Sequence, residues 1–148
     1  MKVTLGALVL FALWLGAADG AVAQNAREDR SVHTIVFQMS EDDPKLWSLM
    51  LNNIDNLVAA LGKNHVDIKV VAYGPGINMF RKERSGVLAR LGSLKKFAGT
   101  NVEYTVCSNT LKAINVDRQE IAELVDDFYP GIVRIALLQE KGYVYLRP

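Results

Sequence analysis

Five short segments rich in β-branched and aromatic residues recur along this chain, and helix-like segments separate them. That alternation constrains the fold more than any other feature of the sequence. Val32 to Met39, Val66 to Tyr73, Val102 to Cys107 and Tyr143 to Leu146 read as strands, with Leu124 to Phe128 as a shorter one before the last. Asp43 is placed to cap a helix that opens with Pro44. Leu46, Met50, Ile54, Leu57, Val58 and Leu61 then recur at steps of three and four, the stripe of an amphipathic helix, which Gly62 can end. Val87, Leu88, Leu91 and Leu94 predict a helix over Ser85 to Phe97, closed by Gly99. Between the two, Gly74-Pro75-Gly76 is a strong breaker, and Ile77 to Arg84 fits a turn of helix or an irregular loop. Asn109 can cap a short helix from Thr110 to Ile114. Asp117-Arg118-Gln119-Glu120 is a capping-box pattern that starts another. Pro130 and Gly131 open a last helix, Ile132 to Lys141, ended by Gly142.

Strand and helix in strict alternation predict an α/β fold: a mostly parallel five-stranded sheet with helices on both faces. In such sheets ligands bind beyond the carboxyl ends of the strands. Three places qualify: Gln38 to Asp43, Tyr73 to Asn78, and Cys107 to Thr110.

The start of the chain reads as an address. Lys2 precedes a charge-free run from Leu5 to Ala18, too short for the ~20 apolar residues of a membrane span. Ala21-Val22-Ala23 supplies the small residues of a signal-peptidase site. The expected organisation is a signal peptide over 1–23, a polar flexible lead-in over 24–31, and one domain over 32–148. The mature protein is expected in the periplasm, with no stable membrane insertion after cleavage.

A net charge of +1 makes nucleic acid an unlikely partner, because phosphate binding wants a clear basic excess. One cysteine excludes an intrachain disulfide framework and a Cys-rich zinc site. His33 and His65 fall at the amino edge of the sheet, away from Cys107, so neither a Cys–His pair nor a metal site is expected. Gly74-Pro75-Gly76 lacks the spacing of a dinucleotide fingerprint or a P-loop, and no cofactor is expected. That turn either lets a ligand approach Gly74 and Gly76 closely or simply ends the strand. Glu41 and Asp42 stand on the correct edge for acid–base work, or are merely solvated. Arg81-Lys82-Glu83-Arg84 is a solvated stretch, or attracts an anion if the loop before it arches over the strand ends.

Cys107 is the sharpest candidate for chemistry. It stands where a strand ends and a helix begins, and unpaired N–H groups at a helix start stabilise a thiolate. Ser108, Asn109 and Thr110 can add hydrogen bonds to the sulfur. The plainer reading is a small buried hydrophobe at a strand end.

Cys-Ser-Asn-Thr-Leu at 107–111, Val-Asp-Arg at 116–118, Gly-Ile-Val-Arg-Ile-Ala-Leu-Leu-Gln-Glu-Lys-Gly-Tyr at 131–143 and the terminal Tyr-Leu-Arg-Pro resemble the DsrE/DsrF-like proteins. Within them, the exported and mostly uncharacterised branch is the nearer likeness. The resemblance implies a three-layer α/β sandwich and a homotrimer or homohexamer. It also implies sulfane sulfur held as a persulfide on Cys107, with a sulfur donor or acceptor protein as partner. Ser108, Asn109 and the Gly74–Gly76 turn would then shape the substrate pocket. The alternative is a non-catalytic homo-oligomeric module that binds a small ligand, with Cys107 only lining its wall.

Overall fold

The computed structural model describes residues 31–97 and 101–148. The signal peptide, the lead-in before residue 31 and the closure of a helix by Gly99 lie outside the described residues. Strands β1 (His33–Met39), β2 (Val66–Ala72), β3 (Asn101–Cys107), β4 (Asp127–Tyr129) and β5 (Val144–Leu146) form one sheet in the order β4-β3-β2-β1-β5. Every pairing is parallel. Parallel neighbours need crossovers, and helices α1 (Pro44–Leu61), α2 (Leu88–Lys96), α3 (Ser108–Ala113) and α4 (Gly131–Glu140) lie in those connections.

Side chains of a strand alternate between faces, and here the two faces differ in chemistry. Ile35, Phe37 and Met39 of β1, Ile68 and Val70 of β2, and Val102, Tyr104 and Val106 of β3 point into the main core. There they meet Trp47, Met50, Leu51, Ile54 and Val58 of α1 and Leu91 and Leu94 of α2. Fully burying one such side chain is worth about 1.5–3 kcal/mol, so α1, with five of them buried, is the principal clamp on this face. Asp43 caps α1 as expected, accepting from Lys45 N at 2.8 Å, and Gly62 ends it at φ 92°.

The opposite face carries a much smaller apolar patch, Val36 and Val71 against Ile135 and Leu138 of α4. Tyr73 and Tyr143 pack against it, and the face also carries buried polar and charged side chains. Lys69, buried in the central strand, pairs with Asp67 at 2.9 Å and Glu103 at 2.7 Å. The Tyr143 hydroxyl donates to Asp67 at 2.5 Å. Burial, helped by that carboxylate, pushes the phenol well above its usual value. The sheet is thus covered on both sides, by α1 and α2 on one face and α4 on the other, in three layers.

Local boundaries moved where tertiary partners intervened. Gly74–Phe80 is a 3-10 helix. The helix expected from Ser85 begins only at Leu88. Arg81 bridges antiparallel to Ile121, and the Ser85 hydroxyl accepts from Val87 N, so the preceding residues are held in a turn. The capping box at Asp117 is present with both of its bonds but opens a single 3-10 turn, Arg118–Glu120. The fourth strand lies at Asp127–Tyr129, overlapping only the end of the expected Leu124 to Phe128.

Candidate functional site

The carboxyl ends of β1, β2 and β3 lie side by side, so the three places singled out in the sequence become one region. Ala72 is in register with Met39 on one side and Val106 on the other. One residue further along, Ser40, Tyr73 and Cys107 form a row across three strands on the α4 face. Side-chain and backbone bonds tie the row together. Tyr73 N donates to Met39 O at 3.0 Å, Gly76 N to Ser40 O at 3.1 Å, and the Asn78 amide to Asp42 Oδ2 at 2.7 Å.

Two helices begin at Cys107. The residue is itself the N-cap of α3, which starts at Ser108. This corrects the expectation that Asn109 caps a helix from Thr110: β3 delivers the chain already turned, so the helix begins two residues earlier. The second helix start is that of α4, whose Gly131 N–H donates to Cys107 Sγ at 3.2 Å. Only glycine fits there. A Cβ on Gly131 would stand 2.9 Å from the Cβ of Tyr73 and 3.3 Å from that of Cys107.

Cys107 is 6% exposed. Burial alone raises a thiol, and it is the largest single influence here. The Thr110 hydroxyl, the Gly131 N–H and the backbone N–H groups of Thr110 and Asn109 together outweigh it, so the thiol lies below its ordinary value. Thr110 does more than donate. Its Oγ1 accepts from Gly74 N at 2.9 Å, which leaves its proton free for the sulfur. Gly74 therefore reaches the thiol through Thr110. Its φ of 53° is the left-handed conformation that glycine adopts without strain. Gly76 serves the backbone, since a Cβ there would fall 2.3 Å from Met39 O. Ser108 is half-buried and Asn109 exposed; the part of Asn109 turned to the sulfur is its amide N–H.

Beside the row, a cleft of about 200 Å³ is lined by Gln38, Met39, Ser40, Glu41, Leu46, Arg147 and Pro148. A larger groove of about 530 Å³ lies between α1 and α2, lined by Val58, Leu94 and Phe97 among others, against the other face of the sheet from Cys107. The Tyr73 hydroxyl bonds Ser40; burial and then the neighbouring Tyr145 push its phenol above the ordinary value. The histidines stand at the far, amino edge, where His33 N donates to His65 O at 2.7 Å. Among the described residues no group of three His, Cys, Asp or Glu side chains is arranged to hold a metal ion. Arg81 pairs with Glu120 at 2.6 Å and Lys82 with Glu123 at 2.5 Å, so the basic run has carboxylate partners within the chain. The contribution of Gly131 was not legible in the sequence, where Pro130-Gly131 signals only a helix start. Nothing local says that this start closes over β3.

A parallel α/β sandwich with one cysteine at the junction of two helix starts defines a class of protein, and sequence comparison places it in a family. The DsrE/DsrF-like family profile matches residues 25–148, and the chain belongs to that family. Among solved structures it is similar to a protein of unknown function, MTH1491, from Methanobacterium thermoautotrophicum. The two share 35% identity and a TM-score of 0.67, over 78% of this chain and 99% of that one. Comparison with curated proteins finds no match.

Proposed function

We propose that this protein carries sulfane sulfur as a persulfide on Cys107. One observation carries the reading: the sulfur is met by N–H groups from two helix starts and by the Thr110 hydroxyl, which favour the thiolate. The family's association with sulfur relay supports it. In the first step the Cys107 thiolate attacks the outer sulfur of a donor persulfide, R–S–SH. A new S–S bond forms, the donor's S–S bond breaks, and R–S⁻ leaves with the electron pair and takes a proton from water. In the second step an acceptor thiolate attacks the outer sulfur of Cys107–S–SH, and Cys107 leaves as the thiolate that its N–H donors stabilise. Sulfane sulfur moves and no external oxidant is consumed.

The setting is part of the proposal. The apolar run Leu5 to Ala18 and Ala21-Val22-Ala23 support export to the periplasm. The outward side of α4 supports a homotrimer or a multiple of it: Ile132 is 62% exposed and Val133 45%.

The test is intact mass after incubation with inorganic polysulfide. The native protein is expected to gain 32 Da per added sulfur, a mass set by sulfur itself, and Cys107→Ser to gain none. N-terminal sequencing from the native host is expected to begin at or near Gln24. The near-complete burial of Cys107 favours the second reading, a non-catalytic homo-oligomeric ligand-binding module. No sulfur gain by the native protein would select it.

A further inference from the structure

The N–H that Gly131 gives to Cys107 depends on where the start of α4 lies. The middle and far end of that helix are anchored by Ile135 and Leu138, buried against Val36 and Val71. Its first residues lack such anchors. Gly131 rests against Tyr73 but has no side chain of its own, and Ile132 and Val133 are exposed.

The first side chain of α4 to reach the sheet is that of Arg134, one turn on. Its Nη2 stands 3.9 Å from Glu103 Oε2 on β3 and 3.9 Å from Asp127 Oδ2 on β4. The other Glu103 oxygen, Oε1, is held by Lys69 at 2.7 Å, so that end of the clasp is fixed. The backbone N–H of Arg134 closes the first turn on Pro130 O at 2.9 Å, so a shift of Arg134 carries Gly131 with it.

Two features set Arg134 apart from a solvated cation. A positive charge in the first turns of a helix opposes the macrodipole, which favours anions there. Its Nε is also buried with no hydrogen-bond partner among the described residues, and a buried donor left unpaired is costly. Both penalties fall at a position from which one side chain meets β3 and β4 together.

We infer that Arg134 is a positioning residue for Cys107: by clasping β3 and β4 it pins the start of α4 and holds the Gly131 N–H on the sulfur. The inference takes its functional sense from the proposed sulfur chemistry. Its test reads the thiol alone, so either can fail without the other.

The pH dependence of alkylation is measured on the full chain for the native protein, Arg134→Gln and Asp127→Asn. Arg134→Gln is expected to raise the thiol pKa by about half a pH unit, the worth of one helix-start contribution. Asp127→Asn is expected to raise it too. A direct charge effect gives Asp127→Asn the opposite sign, because removing an anion near the sulfur favours the thiolate. In the native protein the Gly131 amide proton resonance is expected to move as the thiol titrates, and in Arg134→Gln to move less far.

An unchanged thiol pKa in folded Arg134→Gln overturns the inference, as does a lowered or unchanged one in Asp127→Asn. A Gly131 resonance that titrates equally in the native protein and Arg134→Gln also overturns it. Asp127 lies partly exposed on the edge strand, so if Arg134→Gln does not fold, the sign of the Asp127→Asn shift decides.

Discussion

Opposing influences meet on Cys107. Its burial favours the neutral thiol, and four donors favour the thiolate, with the donors prevailing. The Thr110 hydroxyl is the donor most open to test, because it is held from behind by Gly74 N. Thr110→Val is expected to raise the thiol pKa, read from the pH dependence of alkylation, and to leave the Gly74 N–H without its acceptor. Such an orphaned group costs about 1–3 kcal/mol. An unchanged alkylation profile would mean that the backbone donors suffice. The same depressed pKa has a consequence for stability. A group whose pKa is lower in the folded state stabilises that state above its unfolded value, about 8.5 for cysteine. The advantage is lost as pH falls through the lowered folded value. The stability difference between the native protein and Cys107→Ser is therefore expected to grow as pH rises through that window.

At the scale of elements, the two faces of the sheet hold the protein together by different means. The α1–α2 face is apolar, whereas the α4 face is organised around Lys69 between Asp67 and Glu103. Lys69 and Glu103 are in register across β2 and β3, so the strand pairing itself brings them together. Lys69→Ala would leave two carboxylates facing each other under a helix. The expected loss is about 3 kcal/mol, at the lower end for breaking a buried pair because Glu103 is partly exposed. Urea unfolding measures it. A loss under about 1 kcal/mol would mean that water already screens the cluster as it does a surface pair. Element α4 also joins this network to the site, since it starts at Gly131, whose N–H donates to Cys107, and carries Arg134, 3.9 Å from Glu103.

For the whole molecule, the two layers that cover the sheet are uneven among the described residues. Among the described residues α4 is the one helix on its face, and its outward residues Ile132, Val133 and Leu137 are apolar and exposed. Burying such side chains between copies is worth about 25 cal/mol per Å² of apolar surface. Sedimentation equilibrium at micromolar concentration is expected to give a trimer or a multiple of it. A monomer would count against the assembly. The hydroxyls of Tyr143 and Tyr145 are engaged inside the subunit, on Asp67 and Gln38, so any interface they join would use their rings.

What the sequence determined by itself is whatever depends on near neighbours in the chain. Periodicity in Leu46 to Leu61, the Asp43-Pro44 start and the β-branched runs identify the elements and their order, and parallel connection follows from that order. Cys107 at a strand end is likewise local. The tertiary structure alone decided which segments meet. Gly131 is 24 residues from Cys107 and Gly74 is 36 from Thr110, and no spacing rule links them. The start of α2 and the cap of α3 shifted for the same reason, since a bridge from Ile121 and the exit of β3 outweighed propensities of a few tenths of a kcal/mol per residue. A helix start is written in the sequence, but the sulfur it faces is chosen by the strand order β4-β3-β2-β1-β5, which sets β3 beside the strand that leads into α4.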